Sequence, residues 1–412
     1  MNSGFAIATA TAFTLGTFLS NAAADWPQFL GPTRDGVYTG QALADQWLPD
    51  GPRRLWSHDV GTGWSGPVGK AGRVILFHRI GDQEIVECLR AETGEILWKN
   101  SFTTRYVDGF GFDNGPRATP AIAEGRVFLL GANGNFHCLD FQSGKTVWSQ
   151  DLARTLDAPT GYFGLACSPL VIGKNVLLNI GAPDGAGIVA LEIESGKLAW
   201  KTSSDEASYS SPIGTTLANR PQAVFFTRHN LCGIDTRSGK EIWKQAWSPA
   251  MQASVSAAVP LVSGDLVFAT ASYGAGALAL KVDAKGIHKL WEGDTSLSCQ
   301  YQTPLLSGGH LYGFHGRLDT GPRPAFRCVE LATGRVRWSS EKVDAGSLIR
   351  TGKDSLLLTV NGELIRLALS PAEFQESARA QILGLEVRAH PALVDGLYLA
   401  RDKRRLVCVD LR

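Results

Sequence analysis

With 412 residues, 44% hydrophobic and 19% charged, the chain has the composition of a globular protein, either two or three ordinary domains or one repeat-built domain. Its 40 Lys and Arg against 39 Asp and Glu leave no strong field, so neither nucleic acid nor an acidic membrane is indicated as a partner. The 46 glycines and 11 tryptophans suit short strands joined by tight turns.

The segment FAIATATAFTLGTFLS (5–20) is apolar and uncharged, and Ala22, Ala23 and Ala24 precede Asp25. This pattern predicts a signal peptide over 1–24, cleaved after Ala24, although no Lys or Arg follows Met1. The alternative, an uncleaved anchor, needs a longer apolar run. No cysteine stands at the cleavage site for lipid attachment, and no later run is long enough to span a membrane. The expected location is periplasmic or secreted. The mature chain then divides into a lead-in over 25–52 and a single domain over 53–412.

Within that domain TGEILW (93–98) returns as SGKTVW (143–148), SGKLAW (195–200), SGKEIW (238–243) and TGRVRW (333–338). A small residue, Pro and an apolar strand also recur: GPV (66–68), TPAI (119–122), SPLV (168–171), SPI (211–213), VPLV (259–262), TPLL (303–306) and HPAL (390–393). GSLI (346–349) fills the gap without a proline. Eight units at a spacing of roughly 45 residues predict a β-propeller. One unit reads strand by strand as TPAIA, turn EGR, VFLLGA, turn NGN, FHCLDF, turn QSGK and TVWSQDL. That is a four-stranded antiparallel blade. The turn glycine supplies a positive φ, and the tryptophan lies on the outer strand with its ring toward a neighbouring sheet. Trp56, Trp98, Trp148, Trp200, Trp243, Trp291 and Trp338 are therefore blade staples.

The ends close the ring. RLVCVDLR (405–412) reads as a third strand with no successor, and RRLWSHDV (53–60) as a fourth strand with no blade before it. Joined, they complete the last blade and remove exposed edges. KGIHKLW (285–291) is assigned to a degenerate sixth blade. The seventh blade lacks its tryptophan, and PAEFQESARAQ (371–381) is expected to be a short helix or insertion there. Cys88, Cys138, Cys328 and Cys408 occupy equivalent third-strand places, too far apart to bridge. Cys232 is one place off, and Cys167 and Cys299 fall outside the register. The four in register are expected to be small buried apolar residues, and the odd count of seven argues against a complete disulfide framework.

No G-x-S-x-G, H-E-x-x-H or G-x-x-x-x-G-K pattern occurs, and no catalytic residue is assigned. Strand alternation puts His310 and His315 on opposite faces, and RDKRR (401–405) reads as a solvated turn. The candidate binding face lies on the connections from each outer strand to the next inner one. These carry Trp64, Arg105, Tyr106, Phe112, Arg117, Tyr162, Phe163, Tyr209, Gln252, Gln300 and Tyr301. Aromatics, amides and arginines on one face suit a ligand or peptide, or else simply plug the channel. The planar forks of Arg105 and Arg117 suit a carboxylate. Asp113 and Asn114 offer oxygens but read as turn formers rather than calcium ligands.

The [TS]-G-[KER]-x-x-W repeat resembles the pyrrolo-quinoline quinone (PQQ) repeat family of eight-bladed propellers, over about 55–412. DWPQFLGPTRDG (25–36) resembles the lead-in of secreted bacterial, planctomycete-type members. The resemblance implies one of two functions. Some members are quinoprotein dehydrogenases that hold PQQ and calcium over the axis. Others resemble BamB, a periplasmic scaffold for outer-membrane protein assembly with no cofactor. The sequence departs from the dehydrogenases: it has no adjacent cysteine pair, no C-x-x-C-H and no long insertions. It departs from BamB in lacking a lipid-anchoring cysteine. The expectation is a non-enzymatic, monomeric, exported scaffold without cofactor, binding a protein or peptide of the cell envelope. The alternative is a PQQ-dependent oxidoreductase with calcium, in which Arg105 or Arg117 would pair the quinone's carboxylates beside Asp113.

Overall fold

The structure is a computed structural model that describes residues 24–412, so the predicted signal segment lies outside the described residues. Eight sheets are arranged as blades, seven of four strands and one of five. The first blade runs from Val68–Lys70 to Ile96–Thr103, the second from Ala121–Ala123 to Thr146–Asp151, the third from Leu170–Ile172 to Leu198–Thr202, and the fourth from Ile213–Leu217 to Glu241–Ala246. The fifth spans Leu261–Ser263 to Gly286–Gly293, the sixth Leu305–Ser307 to Val336–Ser340, and the seventh Gly346–Thr351 to Gln375–Gln381. In the first seven blades the four blade strands pair antiparallel in chain order. Second strands such as Arg73–Ile80 are packed on both sides and read as apolar runs. Fourth strands such as Ile96–Thr103 alternate between packing and water.

Closure follows the expectation. Arg53–Asp59 pairs antiparallel with Arg405–Asp410 and supplies the outer strand of the eighth blade. Two other expectations need correction. KGIHKLW belongs to the fifth blade, because Gly286–Gly293 pairs with Gly276–Asp283. The segment 371–381 is neither helix nor insertion: Gln375–Gln381 is the seventh blade's fourth strand, paired with Glu363–Ala368.

The repeated turn and tryptophan are two halves of one contact. A bulge precedes each tryptophan and sets it opposite a small residue of its own third strand. Trp98 faces Cys88, Trp148 faces Cys138, Trp338 faces Cys328 and Trp56 faces Cys408. Ala190, Gly233 and Ala279 do the same for Trp200, Trp243 and Trp291. These four cysteines are thus the small member of a large–small pair, and all seven cysteines of the chain are buried and free. Five of the rings, Trp56, Trp98, Trp148, Trp200 and Trp291, then reach the next blade's turn glycine. A Cβ on Gly94 would lie 2.7 Å from Trp56, and one on Gly144 2.3 Å from Trp98. The glycine is needed for its φ of +67 to +74 and equally for its missing side chain. The indole N–H finishes the staple, Trp98 to Phe141 O at 3.1 Å and Trp148 to Ile193 O at 2.8 Å. Trp243 departs from the pattern: its N–H donates to Gln222 Oε1 of its own blade at 2.6 Å.

The lead-in is a plug for one mouth of the central channel. Trp26 exchanges backbone hydrogen bonds with Gly69, and Pro27 O accepts from Ile122 N. Arg34, fully buried, donates to Ser168 O and Pro169 O, and Val37–Tyr38 adds a parallel fifth strand beside Arg350–Thr351. Leu30 packs with Ile213 and Val259. One short segment thus touches the inner strands of blades around the ring.

Candidate functional site

The proline signal that opens each blade also fixes a ring of side chains at the other mouth. The residues three before the prolines are Trp64, Arg117, Ala166, Tyr209, Ala257, Tyr301 and Arg388. All seven line one axial cavity of about 340 Å³. Where the residue just before the proline is Thr119, Ser168, Ser211 or Thr303, its hydroxyl joins a belt beneath. Gly66 N donates to Thr119 Oγ1 at 3.1 Å, Thr119 N to Ser168 Oγ at 2.9 Å, and Ser168 N to Ser211 Oγ at 2.9 Å. Val259 N to Thr303 Oγ1 continues it across the ring at 3.0 Å. The belt satisfies backbone donors that point into the channel. Phe29 of the lead-in and His390 also line the cavity, and they meet edge to face at 5.6 Å. Burial lowers His390 to about 4, so its ring is neutral at neutral pH.

Because Arg388, Trp64 and Arg117 are neighbours in the ring, both guanidinium groups come over the indole. Their carbons lie 4.8 and 4.7 Å from the ring centroid. Arg117 also stands 5.8 Å over Tyr106, and its Nη2 donates to Asp108 Oδ2 at 2.8 Å and Asp113 O at 3.0 Å. The adjoining wall is aromatic: Phe163 lies 5.1 Å from Phe110 and 5.4 Å from Tyr209. Across from it, Arg317 covers Tyr273 at 4.1 Å and pairs with Asp319.

The structure brings Trp64, Phe112, Arg117, Phe163, Tyr209, Gln300 and Tyr301 together around the cavity. Arg105, Tyr106, Tyr162 and Gln252 do not line it. Arg105 and Gln252 are exposed. Tyr106 is buried beneath Arg117, and Tyr162 stands on the outer rim 6.0 Å from Phe110. Gln300 is spent on structure: it donates to Tyr273 Oη and Asp319 and accepts from Leu318 N. Arg401 is not a solvated turn residue. It is fully buried and donates to Gly61 O at 2.7 Å. His315 is half-buried, and the His310 ring bonds only locally, Nδ1 donating to Gly308 O. Arg388 was missed, yet RATP (117–120) and RAHP (388–391) carry the same signal.

The residues present do not fit a quinone with calcium. Trp64, the only indole among the lining residues, already carries two guanidinium groups over its ring. Asp319, the only lining carboxylate, is held by Arg317 and Gln300. Asp113 Oδ1 accepts from Gly115 N and Asn114 Oδ1 from Asp108 N, as turn formers do. Among the described residues no three His, Cys, Asp or Glu side chains are grouped to hold a metal. Nor is any helix there long and apolar enough to cross a membrane.

A propeller of PQQ-repeat blades, plugged at one mouth and aromatic-rimmed at the other, is the class these features define. The chain belongs to the family described as outer membrane protein assembly factor BamB, whose profile matches residues 81–340. It is 25% identical over 294 residues to the BamB of Shewanella oneidensis, covering 67% of this chain and 70% of that protein. The crystal structure of BamB from Moraxella catarrhalis superposes with a TM-score of 0.63 at 16% identity, over 87% of this chain and 99% of that one. The quinohemoprotein alcohol dehydrogenase of Comamonas testosteroni gives 0.65 at 13% identity, over 95% and 81%. At such identities the structural likenesses show the fold alone.

Proposed function

We propose that the chain is an exported, non-catalytic binding scaffold of the cell envelope, whose loop face takes in an extended segment of a partner polypeptide. The observation that carries this reading is the rim of the axial cavity. Phe110, Phe112, Tyr162, Met251 and Leu318 are 37–52% exposed there, unlike the buried aromatics of the blades. Clustered exposed apolar side chains of this kind mark interaction sites. A backbone lying across the rim could lower one side chain into the cavity below it. No lining residue forms a nucleophile–base pair: the hydroxyls of Thr119, Ser168 and Ser211 are engaged as acceptors in the belt. Membership of the BamB family and the signal-like N-terminus support the envelope assignment. The fold alone carries none of this, since propellers host many functions.

The test is a triple variant, Phe110→Ser with Phe112→Ser and Tyr162→Ser, expressed from the full chain. In crosslinked envelope fractions the parent should capture a defined polypeptide that the variant loses, while both melt alike. Equal capture by both, or retention of the parent chain in the cytoplasm, would overturn the reading.

A further inference from the structure

We propose that the floor of the axial cavity is a carboxylate site, built from Arg117, Trp64 and Arg388, for an acid whose body is aromatic or branched aliphatic. This rests on the loop face being a binding surface and names the group it takes in.

The first support is the pattern of unpartnered donors. The Arg117 side chain is only 6% exposed. One of its nitrogens is used on Asp108 and Asp113 O, while Nε and Nη1 have no partner. Trp64 Nε1 and Gln302 Nε2, both lining the same cavity, are also buried without partners. Orphaned buried donors are costly, so such a lining calls for an acceptor. A carboxylate has two oxygens with about four lone-pair sites and no donor of its own.

The second support is charge. Arg388 makes no hydrogen bond or ion pair among the described residues, yet lies over Trp64 and 5.7 Å from Tyr301. Its guanidinium and that of Arg117 are separated by no more than the sum of their distances to the indole. Asp108 answers Arg117 from outside the cavity, and Asp319 is taken by Arg317. One cation therefore faces the floor with no anion. Guanidinium forks are suited to binding carboxylates in such partly desolvated places.

The third support is the wall. Phe163, Tyr209, Val255 and Tyr273 surround the same space, and offer a strongly hydrated dianion such as phosphate nothing to replace its water. They do accept an apolar body. A volume of about 340 Å³ is at the small end of ligand pockets. It suits one side chain and one carboxylate. The acid can be a free small molecule or the last residue of a polypeptide; the chemistry at the floor is the same.

The test is calorimetric titration of the full chain with 3-phenylpropionate and with its amide. A tetrapeptide ending in phenylalanine, with a free or an amidated C-terminus, is titrated in parallel. The acid should bind at least about tenfold more tightly than the amide. Arg388→Gln should weaken the acid about tenfold with little shift of the melt, because Arg388 has no hydrogen-bond or ion-pair partner to strand and loses only its contacts with the Trp64 and Tyr301 rings. Arg117→Lys, which keeps the charge but loses the fork, should also weaken it. Equal binding of acid and amide, no binding of either, or full binding by Arg388→Gln would overturn the site. Tighter binding of the free-acid tetrapeptide than of phenylpropionate assigns the site to a polypeptide end; the reverse assigns it to a small acid. Polypeptide capture without acid binding would remove this site and leave the scaffold standing. Acid binding without capture would do the opposite.

Discussion

The second and seventh blades solve one packing problem in opposite ways. Both place a bulge before the same outer-strand position. In the second blade the outer residue is Trp148 and its partner Cys138 is small. In the seventh the outer residue is Ala378 and its partner is Arg366. The large member has moved from one strand to the other, and a cation stands where an indole would. Arg366 donates to Asp354 Oδ2 at 3.0 Å and to the carbonyls of Ala44 and Asp45 at 2.5 and 2.9 Å. Losing the tryptophan thus gives the blade a grip on the lead-in, which plugs the channel and makes the cavity blind. The slot is a geometric constant of the repeat, and what fills it decides what the blade holds.

Four predictions can break or sharpen this contrast. Trp98→Ala removes a buried indole and its hydrogen bond to Phe141, and should destabilise by about 4 kcal/mol in denaturant unfolding. Arg366→Met should cost about 3 kcal/mol, since it strands Asp354 and releases two lead-in carbonyls. It should also expose the lead-in near Asp45 to proteolysis, which Trp98→Ala should not. If both variants cut alike, the seventh blade has no special hold.

The third prediction concerns the seam between the eighth and first blades. Burial pushes the Glu87 carboxyl up, but hydrogen bonds from His78, Lys99 and His58 outweigh it and hold the group at about 2. His58 lies on the closing strand, 2.7 Å away. A carboxyl depressed in the folded state contributes stability above its ordinary value of 4.5, and loses it as pH falls toward 2. Glu87→Gln should therefore cost about 2 kcal/mol at pH 7 and almost nothing at pH 2. A variant whose deficit did not shrink on acidification would contradict the account. Smallest is the glycine contrast. Gly144 and Gly125 both have positive φ, but a Cβ meets Trp98 only at Gly144. Gly144→Ala should exceed Gly125→Ala by about 1 kcal/mol in the same unfolding series.

Most of the fold was legible because the repeat carries its own physics. The turn glycine, the tryptophan and the proline recur at fixed spacing, and they predicted eight blades, the ring closure and the unpaired buried cysteines. Blade seven was misread because its outer strand has neither apolar alternation nor tryptophan. QESARAQ looks helical until Arg366 supplies the missing bulk from the neighbouring strand. The site was half legible. Trp64, Arg117, Tyr209 and Tyr301 share a place before the blade prolines, so the repeat positions them together. Arg105 and Gln252 lie in the same connections but outside that place, and they point away. Arg388 followed the rule and was passed over, because the eighth connection was not read. The Arg317–Asp319 hairpin lies between the second and third strands, where repeat spacing says nothing about reach.

The central claim is that the aromatic rim of the open mouth takes a partner, while the outer strands of the blades do not. Photo-crosslinking residues placed singly at Phe112 and at Leu198 in the full chain test it in intact cells. Both are half exposed, one on the aromatic rim and one on an outer strand. The account predicts a discrete polypeptide adduct from position 112 and none from position 198. Equal labelling from both, or labelling from 198 alone, would contradict it.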